Sequence, residues 1–139
     1  MRALLLHANT FQVKVVEKST RPYGILPEVQ RGPSEEMHQC LVVFFCIEKN
    51  DSEKQLNELY EEIIVSAAEI GTKNLMISPF VHLSRNVAPP EEAKKLYREL
   101  FNRFDRSVYQ VQSSHFGYHK SLLLDIKGHP GSFRYREFV

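Results

Sequence analysis

Eight consecutive apolar residues, CLVVFFCI at 40–47, constrain this chain more than any other stretch. A strand with no polar alternation must be covered on both faces, which places it inside a sheet and not at an edge. The next segment sets the layers. Across 52–70, Leu56, Leu59, Ile63, Ala67 and Ile70 recur at helical spacing, Ser52 with Gln55 makes a capping box, and Gly71 stands where a helix stops. A shorter apolar run at 75–77 then reads as a second buried strand. Strand, helix, strand is a βαβ unit, and its right-handed crossover lays the two strands parallel.

The flanking segments complete a sheet. Residues 2–7, RALLLH, read as a short strand; a turn at 8–10 returns the chain into 11–16, where Phe11, Val13 and Val15 alternate with Gln12 and Lys14. The stretch 17–36 is rich in proline, glycine and charge, and predicts a surface excursion with turns at 22–24 and 31–34. Beyond the βαβ unit a second helix begins at Pro89 or Pro90, with Glu91 and Glu92 favourable in its first turn and a buried stripe of Ala93, Leu96, Tyr97, Leu100, Phe101 and Phe104. Strands follow at 108–111, 118–126 and 132–138, the last two joined by a sharp turn, KGHP, at 127–130. At 139 residues, 42% apolar and 25% charged, the chain has the size and balance for one core and is too short for two. The expectation is a single α/β domain over 1–139, a mixed β-sheet with two main helices.

Several function classes drop out. No apolar run reaches the 18 residues a membrane span needs, and His7 and Asn9 interrupt the opening leucines too early for a secretion signal, so a cytoplasmic protein is expected. A net charge of +1 lacks the basic excess of a sequence-blind polyphosphate binder. Cys40 and Cys46 lie six apart on one face of an extended strand, too far to bridge, and read as small buried hydrophobes. There is no HExxH, CxxC or HxH for a metal, no GxSxG elbow for a serine nucleophile and no glycine-rich phosphate cradle. The polar groups that remain sit at element ends: His7; His82 with Ser84; His115, Tyr118, His119 and Lys120; Lys127 with His129. Each alone is an ordinary surface group. Gathered past strand ends, where α/β sheets bind ligands, imidazoles and a lysine can hold a water and stabilise charge on a carbonyl oxygen. A substrate that supplied its own hydroxyl would suit such a carboxylate-poor site.

Four blocks, MRALLLH, PFVHLSRNVAPPEEA, HFGYHK and KGHP, occur in the order and at the spacing of the amino-terminal editing domain of archaeal threonyl-tRNA synthetase, which this chain resembles over essentially its whole length. The resemblance implies a D-aminoacyl-tRNA deacylase-like fold and an ester hydrolase that removes L-serine, and also D-amino acids, from threonine tRNA. It implies no metal or other cofactor, a homodimer, and partnership with the acceptor end of the tRNA and with the catalytic part of the synthetase in cis or in trans. The family uses the terminal ribose 2′-hydroxyl to help activate a water. By position, His82 resembles the family's active-site histidine and Lys120 its lysine. His7, Pro79, Phe80, Val81, Phe116, Tyr118 and His119 fall at substrate-binding positions, with Ile47 a further wall candidate. The chain departs from the pattern twice. His119 stands where the family has a second tyrosine, and Phe133 where it has a glutamate three residues past the proline of KGHP. Three readings stay open: the acid is dispensable, Glu137 enters from a shifted strand, or the site is impaired. The alternative to a hydrolase is a non-catalytic module for binding the tRNA end or assembling the synthetase.

Overall fold

The run at 40–47 is interior, as its composition requires. The computed structural model describes residues 1–19, 34–114 and 116–139. It contains β1 (Arg2–Lys18), β2 (Ser34–Cys46), α1 (Glu53–Ile70), β3 (Asn74–Pro79), a 3-10 turn (Val81–Leu83), α2 (Pro90–Arg103), β4 (Gln110–Ser113), β5 (Tyr118–Ile126) and β6 (Phe133–Glu137). The turn expected at 22–24, the one at 31–34 up to the start of β2, and His115 lie outside the described residues. The strands form one mixed sheet in the order β4-β3-β2-β1-β5, with β6 also paired to β1. β2, β3 and β4 run parallel, as the βαβ reading requires, while β1 is antiparallel to β2, β5 and β6.

β2 alternates between two apolar layers. Leu41, Val43 and Phe45 pack with Leu56, Leu59 and Ile63 of α1 and Leu96, Tyr97 and Leu100 of α2. Cys40, Val42 and Phe44 face the other way, onto Leu6, Phe11, Val13 and Met76. Local signals set α1 in register: Gln55 Oε1 accepts from the Ser52 amide at 2.9 Å, the Ser52 hydroxyl accepts from the Lys54 amide at 3.3 Å, and Gly71 closes the helix at φ 73°. Proline opens α2, where the missing amide proton costs nothing. No helix among the described residues is long and apolar enough to cross a membrane.

The amino-terminal hairpin expected from the sequence is instead one continuous strand of 17 residues. Asn9 and Thr10 carry turn chemistry, but here they make a kink. Leu6 and Ala8 lie on the same face as Phe11 and Val13, so the inward parity changes from even to odd across Asn9. β2 changes parity at the same level, from Met37 to Cys40, at Gln39, whose φ is 47°. Because both strands kink together, their pairing runs on without a slip from Ala8–Cys40 to Thr10–His38. β5 lacks the extra residue, and its register with β1 shifts between Ala8 and Thr10. The Gln39 carbonyl, turned out by the kink, accepts from the Thr72 hydroxyl at 2.9 Å and the Asn74 side-chain Nδ2 at 3.1 Å.

β6 and β5 lie end to end along one edge of β1, β6 against residues 2–6 and β5 against 8–18. The segment 127–132 between them loops out over His7, whose amide donates to the Ser132 carbonyl at 3.0 Å and whose carbonyl accepts from the Lys127 amide at 2.9 Å. At the far end of the same strands the Met1 ammonium is buried. It contacts Glu48 Oε1 at 2.9 Å, Asp51 Oδ1 at 2.8 Å and the Phe138 carbonyl at 3.1 Å.

Burial opposes ionisation of Glu48, but the Ser84 hydroxyl at 2.6 Å, the Met1 ammonium and Arg2 outweigh it and hold the carboxyl below its ordinary value of 4.5. A carboxyl depressed by folding adds stability above the unfolded-state value and loses it as pH falls through the lower folded-state value. Stability measured by urea unfolding should therefore fall as pH drops from about 4.5. Glu48→Gln should flatten that slope and be less stable than the parent at neutral pH; parallel pH curves for the two proteins would refute the assignment.

Candidate active site

The parallel strands end together, and the chain uses their carboxyl ends. β3 finishes at Pro79, the Phe80 amide donates to the Phe45 carbonyl at 2.8 Å, and the 3-10 turn then lifts His82 out of the sheet. The His82 ring meets Phe80 edge-on at 5.1 Å, and Phe80 rests on Phe44 at 4.7 Å, so the imidazole stands on a short aromatic stack rooted in β2. The Cys46 thiol donates to the Val81 carbonyl at 3.7 Å.

The lysine arrives from the other direction. After β4 the Ser114 amide donates to the Ile77 carbonyl at 3.1 Å, the chain turns at Gly117 with φ 82°, and β5 begins. That φ is left-handed and suits glycine. Ser19, just past β1, donates its amide to the Gly117 carbonyl at 2.8 Å. The sheet thus curls until the distal end of the β1–β5 pair returns to the ends of β3 and β4. Lys120 Nζ donates to Ser114 Oγ at 3.4 Å, and Ser114 Oγ lies 2.7 Å from Ser78 Oγ.

These ends enclose a cavity of about 400 Å³, within the range of small-ligand pockets. Pro79, Phe80, Val81, His82, Phe116, Tyr118, His119 and Lys120 all line it, with an apolar side that includes Ala88 and Ala93. No carboxylate is among the described lining residues. Among the described residues no three His, Cys, Asp or Glu side chains converge as a metal site would require.

Three expected site residues lie elsewhere. His7 was expected at a strand end, but β1 continues past it; it pairs with Leu41, level with the start of β3, at the opposite end from the cavity. There His7 Nδ1 lies 2.7 Å from His129 Nε2. Since His129 Nδ1 accepts from the Gly131 amide at 3.2 Å, a neutral His129 carries its proton on Nε2 and donates it to His7. Burial, then the His129, Lys127 and Arg134 charges, push the His7 pKa down from 6.5, in keeping with a neutral acceptor. Ile47 is 5% exposed and belongs to the helix-side core; its carbonyl accepts from the Ala88 amide at 3.0 Å, so it backs the wall without lining it. Glu137, expected as a possible acid, is not among the residues that line the cavity. It sits on β6 opposite Arg2, paired to that guanidinium at 3.4 Å and accepting from the Tyr135 hydroxyl at 2.8 Å. Phe133 is 65% exposed on the same strand.

The sequence pattern gave no notice of Ser78 and Ser114. Both are buried, and a serine closing the run at 75–77 on a covered strand was the available signal for Ser78. Both thiols are buried, as expected; burial pushes Cys40 up to about 12, and burial with the Glu48 carboxylate pushes Cys46 up to about 11. At pH 8 Ellman's reagent should therefore leave both thiols of the folded chain essentially unreacted and titrate two after guanidinium unfolding. Rapid reaction of either in the native protein would contradict this burial.

Residues 1–138 match the family described as the archaea-specific editing domain of threonyl-tRNA synthetase. Similar proteins include the threonine–tRNA ligases of Pyrococcus furiosus, 35% identical over 135 residues, and Pyrococcus horikoshii, 33% identical over 134 residues. Each alignment covers 94% of this chain, and the chain spans only 21% of those relatives' length. The threonine–tRNA ligase of Methanococcus aeolicus is 31% identical over 135 residues, covering 94% of this chain and 20% of that protein. Among solved structures, the c-Myc DNA unwinding element binding protein superposes with a TM-score of 0.71 over the whole chain and 99% of its own, at 14% identity. That likeness shows the shared fold, the D-aminoacyl-tRNA deacylase-like arrangement of a curled mixed sheet and two helices.

Proposed function

The chain belongs to the archaea-specific editing domains of threonyl-tRNA synthetase, and from that premise we propose that it hydrolyses the ester of L-serine wrongly attached to threonine tRNA. The observation that carries the proposal is the convergence of His82 and Lys120 on one cavity without a lining carboxylate among the described residues. Water attacks the ester carbonyl carbon, and its oxygen becomes part of the serine carboxylate. As the carbon–oxygen bond to the ribose breaks, the leaving oxygen takes up a proton, and the net proton goes to solvent. No described lining residue offers a carboxylate as base, and the neighbouring ribose hydroxyl relays the proton from the water to that oxygen. Lys120 supplies positive charge where the carbonyl oxygen becomes negative, and His82 holds the water.

Such a site answers a real selection problem. Serine is threonine less one methyl, and a first pocket rejects the smaller side chain by only about 1–3 kcal/mol. A second pocket inverts the test: the apolar wall near Val81, Ala88 and Ala93 accepts serine, while threonine's extra methyl displaces the ester. A shift of about 1 Å lowers the rate on the order of a hundredfold.

The competing reading is a non-catalytic module for the tRNA end or for synthetase assembly. It is favoured by the two departures from the family: His119 stands in place of the second tyrosine, and Phe133, which points to solvent, in place of the glutamate. Deacylation assays separate the two. Purified protein should release serine from seryl-tRNA and spare threonyl-tRNA, and Lys120→Met should lower the rate by roughly a hundredfold with thermal stability unchanged. Inertness toward seryl-tRNA while the RNA still binds would establish the module instead, and faster turnover of D-aminoacyl esters would reassign the substrate.

We also infer a homodimer in the cytoplasm, working in cis or in trans with the synthetase's catalytic part. Its support is the apolar surface that β5 and β6 expose at Leu122, Leu123, Phe133 and Tyr135. Sedimentation should show a dimer that Leu123→Glu weakens; a monomer at tens of micromolar would remove it.

A further inference from the structure

Packing does little to fix the turn that carries His82. None of its three residues is buried, and His82, Arg85 and Asn86 are exposed. Hydrogen bonds hold it instead. Residues 80–88 run beside 45–49, at the end of β2: the Phe80 amide donates to the Phe45 carbonyl at 2.8 Å, the Ala88 amide to the Ile47 carbonyl at 3.0 Å and the Lys49 amide to the Asn86 carbonyl at 3.0 Å. Between those rungs the Ser84 hydroxyl serves twice. It accepts from the Asn86 amide at 3.0 Å, closing the loop on itself, and donates to Glu48 Oε2 at 2.6 Å, tying the loop to the sheet. A hydroxyl on a carboxylate at that length is a charge-assisted bond, about twice as strong as a neutral one. Glu48 is a firm anchor, since its other oxygen takes the Met1 ammonium at 2.9 Å and its backbone bridges to Val87.

We propose that Ser84, anchored by Glu48, is the positioning residue that sets the His82 imidazole against the cavity. The proposal rests on the deacylase reading and deepens it: His82 holds the water, and Ser84, two residues further along, fixes the turn from which that ring rises. The aromatic stack seats the ring, but apolar contact has no preferred direction, whereas a short hydrogen bond to a fixed carboxylate does. A displacement of about 1 Å at the ring is enough to lower the rate on the order of a hundredfold. Ser84 is not among the described residues that line the cavity, so its effect on hydrolysis passes through the turn.

The test combines single-turnover hydrolysis of seryl-tRNA with the NMR signals of the His82 ring in protein carrying ¹⁵N-histidine. Two variants of one shape separate the hydroxyl from the space it fills, and the extended backbone at Ser84, φ −145° and ψ 153°, suits either β-branched side chain. Ser84→Val should slow the chemical step about tenfold with seryl-tRNA affinity unchanged and should shift the His82 ring signals; Ser84→Thr should restore both. In a His82→Ala background, Ser84→Val should change the rate by no more than about twofold, because the group it acts through is gone. Equal losses in the two backgrounds, or a Ser84→Val protein whose His82 signals match the parent, overturn the proposal. If Ser84→Val does not fold, Glu48→Gln decides it, unshifted ring signals counting against. Should the parent fail to hydrolyse seryl-tRNA at all, the deacylase reading falls, while the ring signals still report whether Ser84 holds His82 in place.

Discussion

The molecule depends on one strand being shared. β1 gives one edge to β2 along nearly its whole length and the other to β6 and then β5, so every strand in the sheet is tied to it directly or through β2. A flat strand of 17 residues could not do this and still enclose a core. The matched kink at Asn9 and Gln39 lets it bend while the apolar residues of both strands stay on their own face. The left-handed backbone of Gln39 is the local strain that permits the bend, and Thr72 and Asn74 hold the carbonyl it turns outward.

The site is a consequence of that bend. Because the sheet curls, the start of β5 is carried back to the ends of β3 and β4, and a lysine meets a histidine 38 residues earlier in the chain. The two arrive on different supports. His82 stands on an aromatic stack, which sets a ring's position but asks for no charge, whereas Lys120 is reached by hydroxyls.

What the sequence made legible was short in range. The capping box, the glycine stop, the proline at the start of α2 and the unbroken apolar run each depend on neighbours a few residues away, and each element formed as expected. The kink at Asn9 did not show itself, since Asn-Thr between alternating segments is also how a turn is written. Only the parity change at Gln39, 30 positions away in sequence but hydrogen-bonded to β1 in space, distinguishes the two. That ambiguity displaced His7: a residue expected to end a strand lies in its middle. Lys120 and His82 were found through blocks of family likeness, and physical pattern alone would have left them among several surface groups. Ser114 carries no pattern at all; its meaning comes from what packs around it.

The same shared strand has a consequence for how the molecule is made. Arg2 pairs with Glu137 and Lys18 with Tyr118, so β1 waits for the last two strands of the sheet before one of its edges is closed. Until then a nascent chain holds β1 against β2 alone, with unsatisfied amides and carbonyls along its open flank, and contacts so distant in sequence close slowly. Because the cavity needs the start of β5, it is completed only after both helices have been made.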